Sequence, residues 1–235
     1  MRAVLHLTRD RLLGHPGRSL LMMLAVALAA AMVVAVSTAV DSLEASMRHF
    51  VGRTTGHVDV RAVHRLHGTF DGATLEQVAA DAAVERAAGR LDATVVFEAA
   101  AGGRRVSGVA RGIDFAAWWA IHPPTFRAGS RAAAAGETVI GARVARRLNL
   151  APGDRLLIRS LGHETKLQIT GILDRPRLEV LRSPVAFVAP EVAEHHAGFS
   201  GGLHAIHINL VGATDADEVA ERLAGPLPSD VVLRP

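Results

Sequence analysis

The most suggestive chemical motif in the sequence is a serine between glycines near the C-terminal end. Residues 198–202 read GFSGG, which places Ser200 in the G-x-S-x-G pattern of hydrolase nucleophile elbows. That mechanism requires a strand before the serine and a helix after it. Here a helical pattern precedes Ser200 and an alternating pattern follows it. We therefore interpret residues 198–202 as a glycine-rich loop rather than as a nucleophile site.

Histidine pairs are the next candidates, because imidazole nitrogens bind transition metals. The sequence contains three close pairs, His64/His67, His195/His196 and His204/His207. None has the spacing of a known ligand set, such as the two histidines of an H-E-x-x-H helix. On a strand, His204 and His207 would point to opposite faces, because side chains alternate. We expect surface or loop histidines and no metal site.

Composition limits the remaining chemistry. The sequence has no cysteine, which excludes disulfides, thiolate metal sites and cysteine nucleophiles. It has no G-x-x-x-x-G-K loop, so we expect no phosphate-binding loop of this type in the chain. Basic residues are dispersed, so we expect no nucleic-acid partner, and we interpret Arg143, Arg146 and Arg147 as a solvated helix face. We expect no enzymatic activity and no catalytic, cofactor-binding or metal-binding residue, and the substrate-binding residues stay unknown.

The element that organises the chain is an apolar run over residues 19–40, SLLMMLAVALAAAMVVAVSTAV. It contains no charged residue, histidine, glycine or proline. A helix of this length spans roughly the ~30 Å hydrocarbon core of a bilayer and satisfies its own backbone hydrogen bonds. Basic residues predominate on its N-terminal side, at Arg2, Arg9, Arg11 and Arg18. We therefore predict a membrane helix with a cytoplasmic N-terminus and the remaining chain outside.

Two other interpretations of the run are less favourable. A cleaved signal peptide would have a hydrophobic region of only about 7–15 residues, and a buried soluble helix would show a polar stripe. Residues 1–17 form a basic N-terminal segment that either lies on the cytoplasmic membrane surface or is a disordered tail. Helical apolar spacing continues through Leu43, Met47 and Phe50, and no helix breaker precedes Gly52. We predict one membrane helix and projecting stalk over residues 18–51.

The remaining residues predict a small α/β domain. We expect a strand at residues 57–63, a helix at 74–88 capped by Thr74, and a hairpin of 93–100 and 104–113 across Gly102-Gly103. A second strand and helix, at 203–210 and 214–223 with Thr214 as N-cap, mirror the first pair, and residues 231–233 begin a last strand. We assign residues 52–114 and 203–235 to one membrane-proximal lobe.

Residues 115–202 form an inserted second lobe in this interpretation. A strand and a helix are expected in 138–148, followed by a turn at 149–154 in which Gly153 takes positive φ and Asp154 binds backbone amides. A hairpin of 155–161 and 164–173 turns at Gly162-His163, and a strand at 184–188 precedes a helix at 190–196. The fold class is therefore α+β: one N-terminal membrane helix with a stalk, then a two-lobed α/β extracytoplasmic domain.

The order of these features resembles the FtsX/MacB-like permeases of ABC transporters. The resemblance begins at RDRLLGHPGRSLLMMLAVALAAAMVVAV and continues through GHVDVRAV. Its most specific segment is ETVIGARVARRLNLAPGDRLLIRS, followed by KLQITGILD. IHINLVGATDADEVAERLAGPLP resembles the family's return to the membrane-proximal lobe. The individual motifs are short, and the resemblance rests on their order over essentially the whole chain.

The resemblance implies a MacB-like periplasmic core domain attached to the cell membrane. It also implies a cytoplasmic ATPase partner, a second permease copy or homologue, and contact with membrane lipid. Such permeases couple ATP hydrolysis to transport, efflux or lipoprotein release. They carry three further membrane helices after this domain, so we expect this chain to be a fragment, a truncated product or an N-terminal half. The alternative is a membrane-anchored binding or envelope-interaction module that works without an ATPase.

Overall fold

The computed structural model describes residues 21, 24–32, 34–35, 38, 58–66, 68–174, 183–212 and 214–235. The chain divides into two units, Met1–Arg53 and Thr54–Pro235. In the first unit the described residues are helical, and their apolar side chains are exposed, with Leu28 72% exposed. Within the described residues, no helix combines the length and apolarity needed to cross a membrane. The predicted segment 1–17 and most of the predicted membrane helix and stalk, 18–51, lie outside the described residues and stay predictions.

The second unit is an α/β domain, which confirms that part of the expected fold. Its described strands are β1 (Val60–His64), β2 (Phe70–Asp71), β3 (Val84–Ala99), β4 (Arg105–Ile113), β5 (Phe126–Gly129), β6 (Glu137–Gly141), β7 (Arg155–Ser160), β8 (His163–Leu173), β9 (Val185–Val188), β10 (Gly202–Leu203), β11 (Ala205–Leu210) and β12 (Val231–Arg234). Its described helices are α1 (Ala73–Ala79), α2 (Phe115–Ile121), α3 (Ala142–Leu148), α4 (Pro190–Ala197) and α5 (Ala216–Ala224).

Ten of these strands form one sheet, in which six strands pair in a closed circuit. The circuit runs β3, β4, β9, β6, β8 and β7, and β7 pairs back to β3. On the same edge of β3, the N-terminal half pairs instead with β11, which leads to β1 and the edge strand β12. The strands β10 and β2 form a separate two-stranded sheet. The sheet therefore has an open part and a closed part that share β3.

The hairpin β3–β4 connects the two parts of the sheet. The 16 residues of β3 would extend over about 50 Å at ~3.3 Å per residue. The predicted lobe boundary assigns both strands to the membrane-proximal lobe. Residues 96–99 of β3 and 109–112 of β4, however, pair with β7 and β9 of the predicted inserted lobe. The division into lobes at residues 114 and 203 stays a prediction. In the structure, β3 and β4 each pair with a strand on the other side of that division.

Three hydrophobic clusters hold the described elements together. The largest joins one face of the closed circuit to α3 and α4, and it includes the fully buried Phe97, Ile140, Ile158 and Ile169. A second joins β1 and β11 of the open part to α5, whose inward residues Val219, Ala220 and Leu223 follow helical spacing. A third lies beneath α2, where Trp119 packs against Phe187 with ring centroids 5.2 Å apart. Each cluster removes an apolar face from water, which stabilises the fold.

One predicted helix is much shorter in the structure. The helix expected at residues 74–88 ends at Ala79, and β3 begins at Val84. Between α1 and β3 the chain turns at Asp81, whose carboxylate accepts a hydrogen bond from the backbone of Ala83 at 2.8 Å. The residues that follow pair with β11. The helix-favouring alanines of this segment are therefore overridden by strand pairing with residues more than 100 positions away.

The predicted N-caps are also displaced. Thr74 lies inside α1, whose N-cap is Gly72, while Asp71 accepts a hydrogen bond from Ala73. Asp215, rather than Thr214, is the N-cap of α5 and accepts from the backbone of Asp217 at 2.9 Å. In both cases an aspartate near the predicted threonine binds the first-turn amide, because its carboxylate is the stronger acceptor for a helix N-terminus.

The other predicted elements of the α/β domain are confirmed with small shifts of their ends. The first hairpin turns at Gly102 and Gly103, which both have positive φ. The second turns one residue earlier than expected, at Leu161 and Gly162, with φ of 49° and 83°. Two consecutive positive φ values are typical of the tight hairpin turn that matches strand twist. The strand and helix before residue 149, the strand β9, the helix α4 and the terminal strand β12 are all present.

Candidate functional site

Ser200 lies in an exposed loop between α4 and β10. The element order is therefore helix, serine, strand, the reverse of a nucleophile elbow. Glu194 of α4 holds the loop by accepting a hydrogen bond from the Gly201 backbone at 2.9 Å. Gly198 ends α4 in the left-handed conformation, with φ of 78°. These contacts explain the glycines of the motif as parts of a helix end and a loop.

The histidine pairs have three different environments. His64 organises the turn after β1, where its Nδ1 accepts from the Leu66 and Gly68 amides at 3.0 and 3.2 Å, while its Nε2 lies 3.3 Å from Asp230. His67 lies outside the described residues. Within the described part of the chain, no group of three or more His, Asp or Glu side chains is arranged to hold a metal ion.

The second pair belongs to a three-histidine group at the end of α4. The rings of His195 and His163 lie 4.1 Å apart between centroids, and His196 is buried. His196 Nε2 lies 3.0 Å from the Thr165 hydroxyl on β8. Burial, with further contributions from His195 and His163, lowers the pKa of His196. The lowered pKa favours the neutral form of His196, and the contact with Thr165 joins α4 to β8.

The third pair is divided by a bend. His204 lies between β10 and β11, where its Nδ1 accepts from the backbone of Asp92 at 3.2 Å. His207 lies within β11 and is only 4% exposed. Its Nδ1 is 2.7 Å from Nε2 of His122, the residue that caps α2. The side chain of Trp118 contacts both rings, at centroid distances of 4.3 and 4.8 Å.

Arginines surround this histidine pair, and we call the set the histidine–arginine cluster: Arg61, Arg90, Arg111, His122 and His207. Arg61 of β1 is the cross-strand partner of His207. Burial lowers the pKa of His207 to about 2, with further contributions from Arg61, His122, Arg90 and Arg111. The nitrogen Nε2 of His207 is buried and makes no hydrogen bond. His207 is therefore held neutral between the sheet and α2.

Asp92 neutralises one side of the cluster. Arg111 binds it through two hydrogen bonds, and Nε of Arg90 lies 3.3 Å from its Oδ2. Burial alone would raise the pKa of Asp92, but the charges of Arg111 and Arg90 and the Arg111 hydrogen bond outweigh it, so the pKa is lowered. Asp92 is therefore ionised and cross-links β3 to β4.

The most specific segment of the sequence has a structural role. Asn149 caps α3 in the left-handed conformation, and Asp154 accepts a hydrogen bond from the Ala151 amide at 2.8 Å, as predicted. Gly153 has φ of 95°, also as predicted, and donates to the backbone of Ile169 at 2.7 Å. Arg146 and Arg147 are exposed in the last turn of α3, where they complement the helix dipole, and Arg143 is half-buried.

The histidine–arginine cluster was not predicted from the sequence. The spacing pairs His207 with its neighbour His204, whereas the hydrogen-bond partner of His207 is His122, 85 positions away. Nothing in the local spacing links these residues. The available signal is the register of β1 on β11, which places Arg61 beside His207. That register becomes known only when the whole sheet is assembled.

Comparisons with known proteins agree with this fold. The family profile described as "MacB-like periplasmic core domain" matches residues 19–225. The periplasmic region of MacB from Actinobacillus actinomycetemcomitans is similar with a TM-score of 0.62 and 8% identity, over 76% of this chain and 89% of that one. The extracellular domain of the noncanonic ABC-type transporter YknZ from Gram-positive bacteria is similar with a TM-score of 0.58 and 10% identity, over 75% of this chain and 99% of that one.

No curated protein matches the sequence. The two structural likenesses, at 8% and 10% identity, concern the fold alone. The family profile, in contrast, covers most of the chain, including the apolar run, the predicted inserted lobe and all but the last ten residues of the predicted membrane-proximal lobe. The resemblance inferred from the order of the sequence motifs is therefore confirmed. The chain belongs to the family of MacB-like periplasmic core domains, which is part of the MacB/FtsX-like permeases of ABC transporters.

Proposed function

We propose that this chain is part of the permease subunit of an ABC transporter. In this proposal it couples ATP hydrolysis by a cytoplasmic ATPase to an event outside the membrane, such as transport, efflux or lipoprotein release. The observation that carries the proposal is the family match, which begins at residue 19, the first residue of the uncharged apolar run. The matched region thus contains both a candidate membrane helix and the α/β domain.

The membrane-anchored arrangement has independent physical support. Leu21, Leu24 and Leu28 are each more than 60% exposed in the described helical residues. Exposed leucines in such a concentration require an apolar surrounding, which a bilayer or another membrane helix supplies. We infer that the helix contacts lipid and a second permease copy, that the N-terminus is cytoplasmic, and that the α/β domain is periplasmic or extracellular.

We also propose that the domain is not an enzyme. Ser200 lacks the strand–turn–helix context, and the buried polar side chains cross-link structural elements. The function of the domain is then mechanical or recognitional, and ATP is hydrolysed by the partner subunit. The alternative function is a membrane-anchored binding or envelope-interaction module that works without an ATPase.

Reporter fusions test the topology. A reporter joined after Leu13 should be active in the cytoplasm, and one joined after Gly225 should be active outside the membrane. Ala29→Arg, near the centre of the run, should reduce insertion, because arginine at a helix centre costs about 2.5–3.5 kcal/mol. Two fusions that report the same compartment would contradict the single-span topology.

Coupling to an ATPase requires a separate test. The full reading frame that contains this chain should be expressed with the ATPase encoded next to it and reconstituted in vesicles. We expect the ATPase to co-purify and its ATP hydrolysis to depend on the permease. A domain that performs its extracytoplasmic function at full level without any ATPase would support the alternative module instead.

A further inference from the structure

The C-terminal end of α2 is attached to the sheet by polar contacts in addition to the apolar packing of its buried residues Trp118, Trp119 and Ile121. His122, which caps α2, makes the 2.7 Å hydrogen bond to His207 of β11. Arg86 of β3 donates from Nη1 to the carbonyl oxygen of Ala120 at 3.1 Å. Trp118 packs on both imidazole rings. These contacts all involve the last turn of α2, and the histidine pair forms the shorter of the two hydrogen bonds.

The hydrogen bond between the two rings depends on their protonation. It needs one nitrogen that donates a proton and one that accepts it, and either neutral tautomer pair provides this. An imidazolium carries protons on both nitrogens. When both rings are charged, two N–H groups face each other across the 2.7 Å gap and the bond cannot form. The proton that charges the second ring therefore replaces the attraction between the two rings with repulsion.

The surroundings of His207 oppose a positive charge from several directions. Arg61 on β1, Arg90 on β3, Arg111 on β4 and His122 after α2 all act on it unfavourably. Asp92 is the acidic residue next to the histidine–arginine cluster. It forms ion pairs with Arg90 and Arg111, and His204 lies beside it. The nitrogen Nε2 of His207 is buried without a hydrogen-bond partner, so a proton there lacks solvation. His207 can take up a proton readily only when α2 moves away.

We propose that His122 and His207 form a proton-sensitive latch that holds the last turn of α2 on the sheet and releases it in acid. Release exposes His207 to water, where it binds a proton. Below pH ~6.5, the released population therefore rises about tenfold for each unit by which the pH decreases. This factor applies once for each histidine that becomes protonated on release. A domain outside the cytoplasmic membrane meets the pH of its surroundings, so the latch would link the packing of α2 to external acidity. This inference goes beyond the proposed function and does not require the ATPase partner.

Amide hydrogen exchange measured by NMR on the 235-residue chain in detergent tests the latch. The His122 amide donates to the carbonyl of Trp118 at 2.8 Å, so its protection reports whether the last turn is closed. After correction for intrinsic rates, we expect this protection to fall about a hundredfold between pH 6 and pH 4. The Ile169 amide, which donates to Asp154 at 2.8 Å, is the internal control, because it reports unfolding of the whole domain, and its protection should exceed that of the His122 amide at every pH.

Two variants separate the latch from general acid sensitivity. His207→Gln removes the titrating ring, and in this variant the protection of the His122 amide should fall much less between pH 6 and pH 4. His196→Gln is the matched control, since it removes a buried histidine of α4 whose contact is with Thr165, and it should retain the hundredfold change. Three results would each overturn the proposal: wild-type protection that is constant from pH 6 to 4, the same fall in His207→Gln, or His122 protection equal to that of Ile169 at every pH, which would mean that α2 is released only when the whole domain unfolds.

Fluorescence gives a second measurement if His207→Gln folds poorly. Trp119→Phe leaves Trp118, in contact with both imidazoles, as the single tryptophan. Its emission should change with pH over the same range as the His122 protection, while far-UV circular dichroism stays constant. Emission that does not change while the histidine ring nitrogens titrate would show that protonation leaves α2 in place, which contradicts the latch.

Discussion

Arg111 and Asp92 form a two-bond ion pair across β3 and β4, with Nε 2.8 Å from Oδ1 and Nη2 3.2 Å from Oδ2. The two residues are directly opposite each other in the strand register. Both side chains are largely buried, with about a fifth of their surface exposed. The pair therefore lies on the hairpin that joins the open and closed parts of the sheet, and it fixes the register of that hairpin.

We predict that Asp92→Asn destabilises the domain by about 2 kcal/mol, because it leaves two largely buried guanidinium groups without their carboxylate. Glu164→Gln is the control, since Glu164 pairs with Arg159 at 2.9 Å but both side chains are 43% exposed. That substitution should cost less than about 1 kcal/mol. Urea unfolding at neutral pH measures both values, and equal losses would show that burial does not distinguish the two pairs.

The stability of the domain should decrease in acid because of His207. Its pKa is about 2 in the folded protein and about 6.5 when unfolded, so below pH 6.5 the unfolded chain binds one more proton. The free energy of unfolding should therefore fall by up to ~1.4 kcal/mol per pH unit as the pH decreases from about 6 to 4. His196, whose pKa is also lowered, acts in the same direction. In urea unfolding at several pH values, His207→Gln should show a shallower slope than wild type.

A glycine in β4 allows α4 to lie against the sheet. A Cβ atom added at Gly112 would lie 2.4 Å from Cβ of Ala193, and its next contact would be Cα of Pro190 at 3.3 Å. Gly112→Ala should therefore cost about 1–3 kcal/mol through overpacking. Combining it with Ala193→Gly should recover most of the stability lost through this clash, although glycine in the helix itself costs about 1 kcal/mol. A double-mutant cycle from urea unfolding should give a favourable coupling, and strict additivity would contradict this contact.

The turn after α3 requires glycine for its backbone conformation. Gly153 has φ of 95°, and a Cβ atom added there would meet no other atom within 4 Å. We expect Gly153→Ala to cost about 1–2 kcal/mol through backbone strain alone. Gly136→Ala is the matched control, because its added Cβ is equally free of contacts and its φ is not in the left-handed region. That change should be neutral or stabilising by up to ~1 kcal/mol, as thermal unfolding can measure.

The stalk prediction concerns residues outside those described and rests on the sequence. Residues 41–51 contain no glycine or proline, and Ser46 lies off the apolar stripe of Leu43, Met47 and Phe50. Ser46→Pro would disrupt a helix there by about 3 kcal/mol or more. In the complete permease we expect it to preserve ATPase binding but uncouple ATP hydrolysis from the extracytoplasmic event. Ser46→Ala should be nearly neutral, and full transport-linked activity in Ser46→Pro would refute a rigid stalk.

Local patterns predicted the elements whose signals are local. The hairpin at Gly102-Gly103 and the Pro-Gly-Asp turn at Asp154 depend on backbone preferences that are readable from a few residues. The helix prediction failed after Ala79 because strand pairing with β11 decides the conformation of residues 84–88. The pairing of His122 with His207 was missed for the same reason, since only the assembled sheet brings these positions together.

The position of β1 in the sheet has a consequence for how the domain folds during synthesis. Val60 pairs with Ile208, and Arg61 pairs with Arg234, so both neighbours of β1 are made about 150 residues or more after it. Such distant pairings are slow to form, because a long loop must close before they contribute stability. The hairpins β3–β4 and β7–β8 can form early, whereas β1 remains unpaired until β11 and β12 have been synthesised. A chain of this kind needs protection of that strand from aggregation until its partners β11 and β12 have emerged.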